Sequence, residues 1–162
     1  MKRSRNRWHL FIWLGCLLGG GLLVLLALPA QPGNAQEMPS ATFAQEVIVL
    51  VNQERAARGL PPLKASPELS AAAQAHSQAM AEGDFFDHTD PRTSSTVGDR
   101  VTAAGYDWSF VAENIGQGYP TPAQAMEGWM DSPGHQANIL SEDVREIGVG
   151  YVFDAEDAMF GE

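Results

Sequence analysis

The sequence predicts an α+β sandwich, and three features of it carry that prediction. Helical patterns come first and strand patterns are scattered late, so the elements do not alternate as a parallel sheet with crossover helices requires. The long helical patterns bring their own start and stop residues. Near the end, "EIGVGYVFD" spaces Ile147, Val149, Tyr151 and Phe153 at the period of a strand with one buried face.

In chain order, the first helical pattern is "TFAQEVIVLVNQERAARG". Thr42 and Gln45 have the spacing of a capping box, Phe43, Val47, Leu50 and Val51 form one stripe, and Gly59 is the stop. The second is "SPELSAAAQAHSQAMAEG", with Ser66 as N-cap, Pro67 in the first turn and Gly83 at the end. Its buried stripe is Leu69, Ala72, Ala73, His76 and Met80, with Ser77 off it. "FFDHTDPRTSS" is dense in turn formers, and a short helix over "VGDRVTAAG" closes at Gly105. "FVAENIGQGY" fits a strand bounded by glycines. The third long helix starts at Thr121, Pro122 and Gln124, buries Ala125, Met126, Trp129 and Met130, and must break before Pro133. "SPGHQANIL" then restarts with Ser132 as cap.

The ends of the chain set its destination. Lys2, Arg3, Arg5 and Arg7 precede an apolar run from about Leu10 to Leu28, followed by small and polar residues, which is the order of a secretion signal. Gly33-Asn34-Ala35 supplies a small-residue cleavage site. The run is also nearly long enough to span a bilayer, so an uncleaved N-terminal anchor through residues 10–28 is the competing reading. The domain scheme is therefore a signal peptide or anchor over 1–35, a linker over 36–41 and a domain over 42–162. Either way the domain is expected outside the cytoplasm, extracellular or periplasmic, or tethered by its N-terminus. The run continues well past Cys16, which argues against a lipid anchor at "WLGC".

Beyond residue 36 lie all 20 acidic residues and six basic ones, a net charge of −14. That sign disfavours nucleic acid and anionic membrane surfaces as partners and suits cations. The sole cysteine precedes the domain, so no disulfide holds it together. Its roughly 120 residues must rely on an ordinary core, which that length supplies.

Of four histidines, His9 falls in the export segment and His76 on a buried helical stripe. His88 and His135 follow turn formers in loops, where scaffolds place functional side chains. Two neutral imidazoles with Glu113 and Asp131 would suit a divalent transition metal or, without metal, a general acid and base. Asp131 and His135 are four residues apart, yet Pro133 and Gly134 intervene, so spacing alone does not join them. A helix-end cap for Asp131 and loop packing for His135 explain the same residues structurally.

Taken together, "LVNQERAARGLPPLKASPELSAAAQAHSQAMAEGDFFDHTDP", "AENIGQGY", "GWMDSPGHQANIL" and "EIGVGY" resemble the bacterial branch of the CAP superfamily. This SCP-like extracellular domain is shared with cysteine-rich secretory proteins, antigen 5 and pathogenesis-related 1 proteins. The resemblance runs from about Phe43 to Tyr151. It implies a three-layer α-β-α sandwich with a central antiparallel sheet, and a cleft lined by two histidines and two acidic residues. Those positions fall on His88 of "FFDHTDP", Glu113 of "AEN", His135 of "SPGHQAN" and Asp131 of "GWMD". Asp131 stands where many members have the longer Glu, and Ala112 replaces the usual glycine. Members normally continue into a further aromatic strand, whereas this sequence ends at "AMFGE", so the domain is expected to lack its last strand and to leave a sheet edge open.

The roles that the resemblance implies include lipid binding, contact with cell-wall material, signalling and, in a few members, proteolysis, so the fold does not choose among them. No nucleophile with a matched partner is present. The expectation is a secreted binding module, rather than an enzyme, whose cleft holds a divalent cation such as zinc or a polar ligand. Its physiological partner would be a lipid, a cell-wall component or a peptide. A metal-dependent extracellular hydrolase is the alternative, and a ligand-free structural domain the second alternative.

Overall fold

The computed structural model describes the backbone of residues 7–15 and residues 39–154. Among the described residues, four strands and five helices follow in the order β1 (Arg7–Gly15), α1 (Ser40–Ala56), β2 (Lys64–Ala65), α2 (Pro67–Gly83), α3 (Val97–Ala103), β3 (Ala112–Gln117), α4 (Pro122–Met130), α5 (Pro133–Ile139) and β4 (Glu146–Asp154). They form one sheet, β2-β4-β1-β3, between two helical layers. The α+β sandwich is thus the observed architecture. Its long pairings, β4 with β1 and β1 with β3, are antiparallel, while the two residues of β2 run parallel to β4. Lys64 N and Ser66 N donate to Arg145 O and Ile147 O, which holds this short strand in that direction.

One layer packs α1, α4 and α5 on the sheet through Phe43, Val47, Val51, Met126, Trp129, Ile139, Ile147, Val149 and Tyr151. The Phe43 and Tyr151 rings stack at 3.9 Å, and Arg55, wholly buried, donates to Pro61 O, Ile139 O and Ser141 O. Those three bonds let a guanidinium sit in a core by satisfying carbonyls where chain turns leave them unpaired. The other layer is α2 with α3, packed through Leu69, Ala73, Met80, Val101, Tyr106 and Ile115.

Several local expectations change. The alternation of β4 predicts one buried face, but both faces are covered. Ile147, Val149 and Tyr151 enter the first layer, and on the opposite face Gly148 and Gly150 admit the backbone of α2. A Cβ on Gly150 would come within 2.3 Å of Ala73 C, so only glycine permits this approach. Ser77 is fully buried although the stripe leaves it out. Helix α1 starts a turn earlier than the Thr42 box predicts, because Pro39 O already accepts from Thr42 N and Phe43 N. Ser132 caps α5 without a side-chain bond; its carbonyl, accepting from Gln136 N, opens that helix. The caps at Ser66 and Thr121 form as the sequence predicts.

The expected export segment and linker lie largely outside the described residues. The described part of that segment, Arg7–Gly15, is a strand that pairs with β4 and β3. "RWHLFIWLG" has the aromatic and β-branched content that such a position selects. Among the described residues no helix is long and apolar enough to cross a membrane.

Candidate functional site

Three segments meet at Glu113. Helix α2 ends at Gly83, and Asp84 takes the left-handed conformation (φ 50°) that turns the chain into the loop carrying His88. That loop is braced by Asp90, whose carboxylate accepts from Arg92 N, Nε and Nη2 at 2.8, 3.2 and 3.0 Å. These bonds to Arg92 hold the Asp90 carboxyl down at about 2. Arg100 of α3 ties the loop to the sheet. Its Nη1 donates to Ser95 O at 2.8 Å, and its Nη2 donates to His88 O and to Glu113 Oε2, both at 2.9 Å.

Glu113 lies on β3 with its side chain 3% exposed. Its other oxygen, Oε1, is 2.6 Å from His88 Nδ1. A carboxylate already paired with a guanidinium accepts only, so Nδ1 carries the proton and the lone pair of neutral His88 is on Nε2. Among the described residues nothing engages Nε2, and the ring is 53% exposed. The bond to Glu113 raises the His88 pKa against the opposing effect of burial.

His135 sits on α5, and β3 positions it. Asn114 Nδ2 donates to His135 O at 3.0 Å, while Asn138 Nδ2 bonds both Glu113 O and Asn114 Oδ1. Trp129 Nε1 donates to Ile115 O, pinning the next residue of the strand to α4. The His135 ring makes no hydrogen bond among the described residues. Burial, and then the nearby charge of His88, lower its pKa. Neutral imidazole is therefore its form at pH 7.

The structure thus brings Glu113, His88 and His135 to one corner. Asp131 lies elsewhere, exposed at the end of α4, where it borders a depression with Gly118, Tyr119, Gln124, Glu127 and Gly128. His76 is buried as its stripe predicts, with Nε2 3.1 Å from Asp87 O. Sequence reasoning missed Arg100, Asn114 and Asn138. For Arg100 a signal existed, since it is one of six cations in a strongly acidic domain and sits on a short helix between the two loops. The asparagines carry no comparable mark. A cavity of about 460 Å³ between α2 and α3, lined by Ala71, Ala75, Ala79, His76 and Asp90, shares Arg100 with this corner.

Among the described residues no three His, Cys, Asp or Glu side chains converge as a metal cage. Both Glu113 oxygens are already taken, so among the described residues His88 Nε2 and the His135 ring are the donors left at this corner. They fit an open, externally completed site and not a closed structural one.

A three-layer sandwich whose sheet presents a buried glutamate to a loop histidine, with a second histidine beside it, defines the class. The sequence profile of the cysteine-rich secretory protein family, CAP, matches residues 48–160, and the chain belongs to that family. The chain is 40% identical over 116 residues to the Bacillus subtilis protein YkwD, covering 70% of this chain and 45% of that protein. It is 25% identical over 130 residues to the human Golgi-associated plant pathogenesis-related protein 1, covering 75% and 80%. Among solved structures, an extracellular protein of Bacillus anthracis containing an SCP domain superposes with a TM-score of 0.67 at 31% identity, covering 68% of this chain and 37% of that one. The chain thus spans less than half the length of these two Bacillus proteins. The family's name notwithstanding, the matched region here contains no cysteine.

Proposed function

We propose that this chain is an exported binding module whose cleft offers His88 and His135 to a divalent cation, with the remaining coordination positions completed by water or a polar ligand. The observation that carries the reading is the Arg100–Glu113–His88 relay. Glu113 fixes the tautomer and the ring of His88, which is what a carboxylate behind a metal-binding histidine does. Arg100 neutralises that carboxylate without touching either imidazole. A bound cation would supply positive charge to polarise a ligand at the open positions. The His135 ring, neutral and without a hydrogen-bonding partner among the described residues, also favours binding over a purely structural cluster, in which the polar groups would satisfy one another. The extracellular description of the Bacillus anthracis protein and the N-terminal basic and apolar order support export. The acidic domain supports a cationic partner over a nucleic acid.

Zinc titration of the purified protein, read as melting temperature, tests the reading. A native-state ligand raises the midpoint by mass action, by about 2.7 kcal/mol of stabilisation at a hundredfold excess over Kd. His88→Ala and His135→Ala should each abolish most of that rise. If zinc leaves the wild-type midpoint unmoved, the cation reading is wrong and the corner is structural.

A further inference from the structure

We propose that the depression bordered by Trp108 and the first turns of α3 seats an uncharged glycan: one pyranose ring stacks on the exposed indole while its hydroxyls bond to Asp99 and Thr102. The proposal does not depend on whether the cleft holds a cation, although Asp99 adjoins Arg100 and both sites draw on α3.

Trp108 is 40% exposed, yet its position is fixed. Its Nε1–H donates to Thr102 Oγ1 at 3.0 Å. Its benzo edge rests on Gly98, where a Cβ would come within 2.8 Å of Cζ2. Glycine inside a helix costs stability relative to alanine, and here its missing side chain is what seats the ring. An indole held at its N–H and at its benzo edge meets a ligand already ordered. The depression, of about 510 Å³, is lined by Thr96, Gly98, Asp99, Thr102, Ala103 and Trp108. Asp99 Oδ2 accepts from Thr96 N and Oγ1 at 2.9 and 2.7 Å, which leaves Oδ1 open among the described residues. The Thr96 hydroxyl, and then its N–H, hold the Asp99 carboxyl below its ordinary value, so it is ionised at pH 7. Thr102 Oγ1 accepts from the indole and keeps its own proton to donate.

These groups narrow the ligand class. An acyl chain would strip water from a carboxylate and hydroxyls without replacing it. An anion would face Asp99 in a domain whose net charge beyond residue 36 is −14. A metal ion would find one open carboxylate oxygen where several donors are needed. An ammonium group would meet the positive end of α3, where the charge of Asp99 is already engaged in the capping box. A neutral sugar suits all the groups present. Its C–H bonds point at the negative face of the indole, and neighbouring hydroxyls donate to Asp99 Oδ1 and accept from Thr102. Flat stacking needs a pyranose without axial hydroxyls, which selects β-linked sugars of the gluco configuration.

Titrating the ¹⁵N-labelled full chain with cellotriose, and separately with tri-N-acetylchitotriose, tests this by chemical shift. At least one should move the Trp108 indole N–H and the amides of Gly98, Asp99 and Thr102, with half-saturation below about 10 mM. Trp108→Ala, read on the Asp99 and Thr102 amides, and Asp99→Asn should each weaken binding at least about tenfold. Gly98→Ala, which favours the helix, should weaken it as well by moving the ring off its seat. The zinc response of Trp108→Ala should equal that of wild type, which keeps this test separate from that of the cleft. Silence of these residues toward both trisaccharides would overturn the proposal. So would undiminished binding by Trp108→Ala, or tighter binding of choline or lysine at the same residues, which would make this an ammonium site. If Trp108→Ala fails to fold, Gly98→Ala and Asp99→Asn decide.

Discussion

Glu113 and Asp131 are both carboxylates that family resemblance directs to one cleft, and the structure treats them in opposite ways. Glu113 stands on a strand buried on both faces, its backbone pinned by Asn138 and its oxygens divided between His88 and Arg100. Asp131 stands exposed at a helix end, its backbone N–H donating to Glu127 O. The difference teaches that what makes a carboxylate part of a site is the element that holds its main chain. A strand between a sheet partner and two helices cannot move its side chain away, whereas a helix end can turn its side chain to solvent.

The largest effect expected is from Glu113→Ala. The Arg100 side chain is only 10% exposed, and removing one partner of a buried ion pair strands the other charge, at about 3–5 kcal/mol. Urea denaturation should show that loss, and Glu113→Gln, which keeps the shape and one acceptor, a smaller one of about 1–3 kcal/mol. A Glu113→Ala variant as stable as wild type would erase the contrast, since Glu113 would then be as unconstrained as Asp131.

The next effect is a pH dependence. Folding raises the His88 pKa, chiefly through Glu113, above its ordinary value of 6.5. The contact therefore stabilises fully below about pH 6.5 and is lost as pH rises through the higher folded value. The stability gap between wild type and His88→Ala should be widest in mildly acid solution and shrink toward alkaline pH. The ring is half exposed, so the gap should be well below that of Glu113→Ala. Cation affinity should run the other way, because protons compete for Nε2, and zinc should bind more tightly as pH rises through the same window. A gap that widens with pH would mean that Glu113 does not hold the imidazolium.

Much of this corner was legible beforehand. The turn formers around His88 mark a loop, and the family motifs "AEN" and "SPGHQAN" direct attention to Glu113 and His135, whose segments the structure ties together through Asn114 and Asn138. The helices were legible because stripes such as Leu69, Ala73, His76 and Met80 repeat at the helical period. The rest depends on contacts distant in sequence. Nothing local to Arg100 says that it will reach Glu113, 13 residues on, and nothing around Asn138 says that it will bridge two residues of β3. The glycines of "GVG" read as a polar strand face because an alternation pattern cannot tell water from an approaching helix backbone. Arg7–Gly15 was read by composition as an export segment. Its aromatic and β-branched content suits a strand as well, so composition does not separate the two.

The smallest effect expected is from Asp131→Asn. Asp131 follows the last turn of α4, where the helix dipole disfavours a negative charge, and precedes α5 at Pro133, where the dipole favours one. The two contributions are each about 0.3–1 kcal/mol at exposed positions and oppose one another, so stability should change by less than about 0.5 kcal/mol. The more telling measurement is the zinc response. Asp131 borders the depression beside Tyr119 and Glu127, so it is not expected to help hold a cation between His88 and His135. The zinc-induced rise in melting temperature should therefore match wild type in Asp131→Asn while it collapses in His88→Ala. A response reduced to the level of the histidine variants would show that α4 and α5 shift on binding to carry Asp131 into the cleft. The contrast between the two carboxylates would then describe only the free protein.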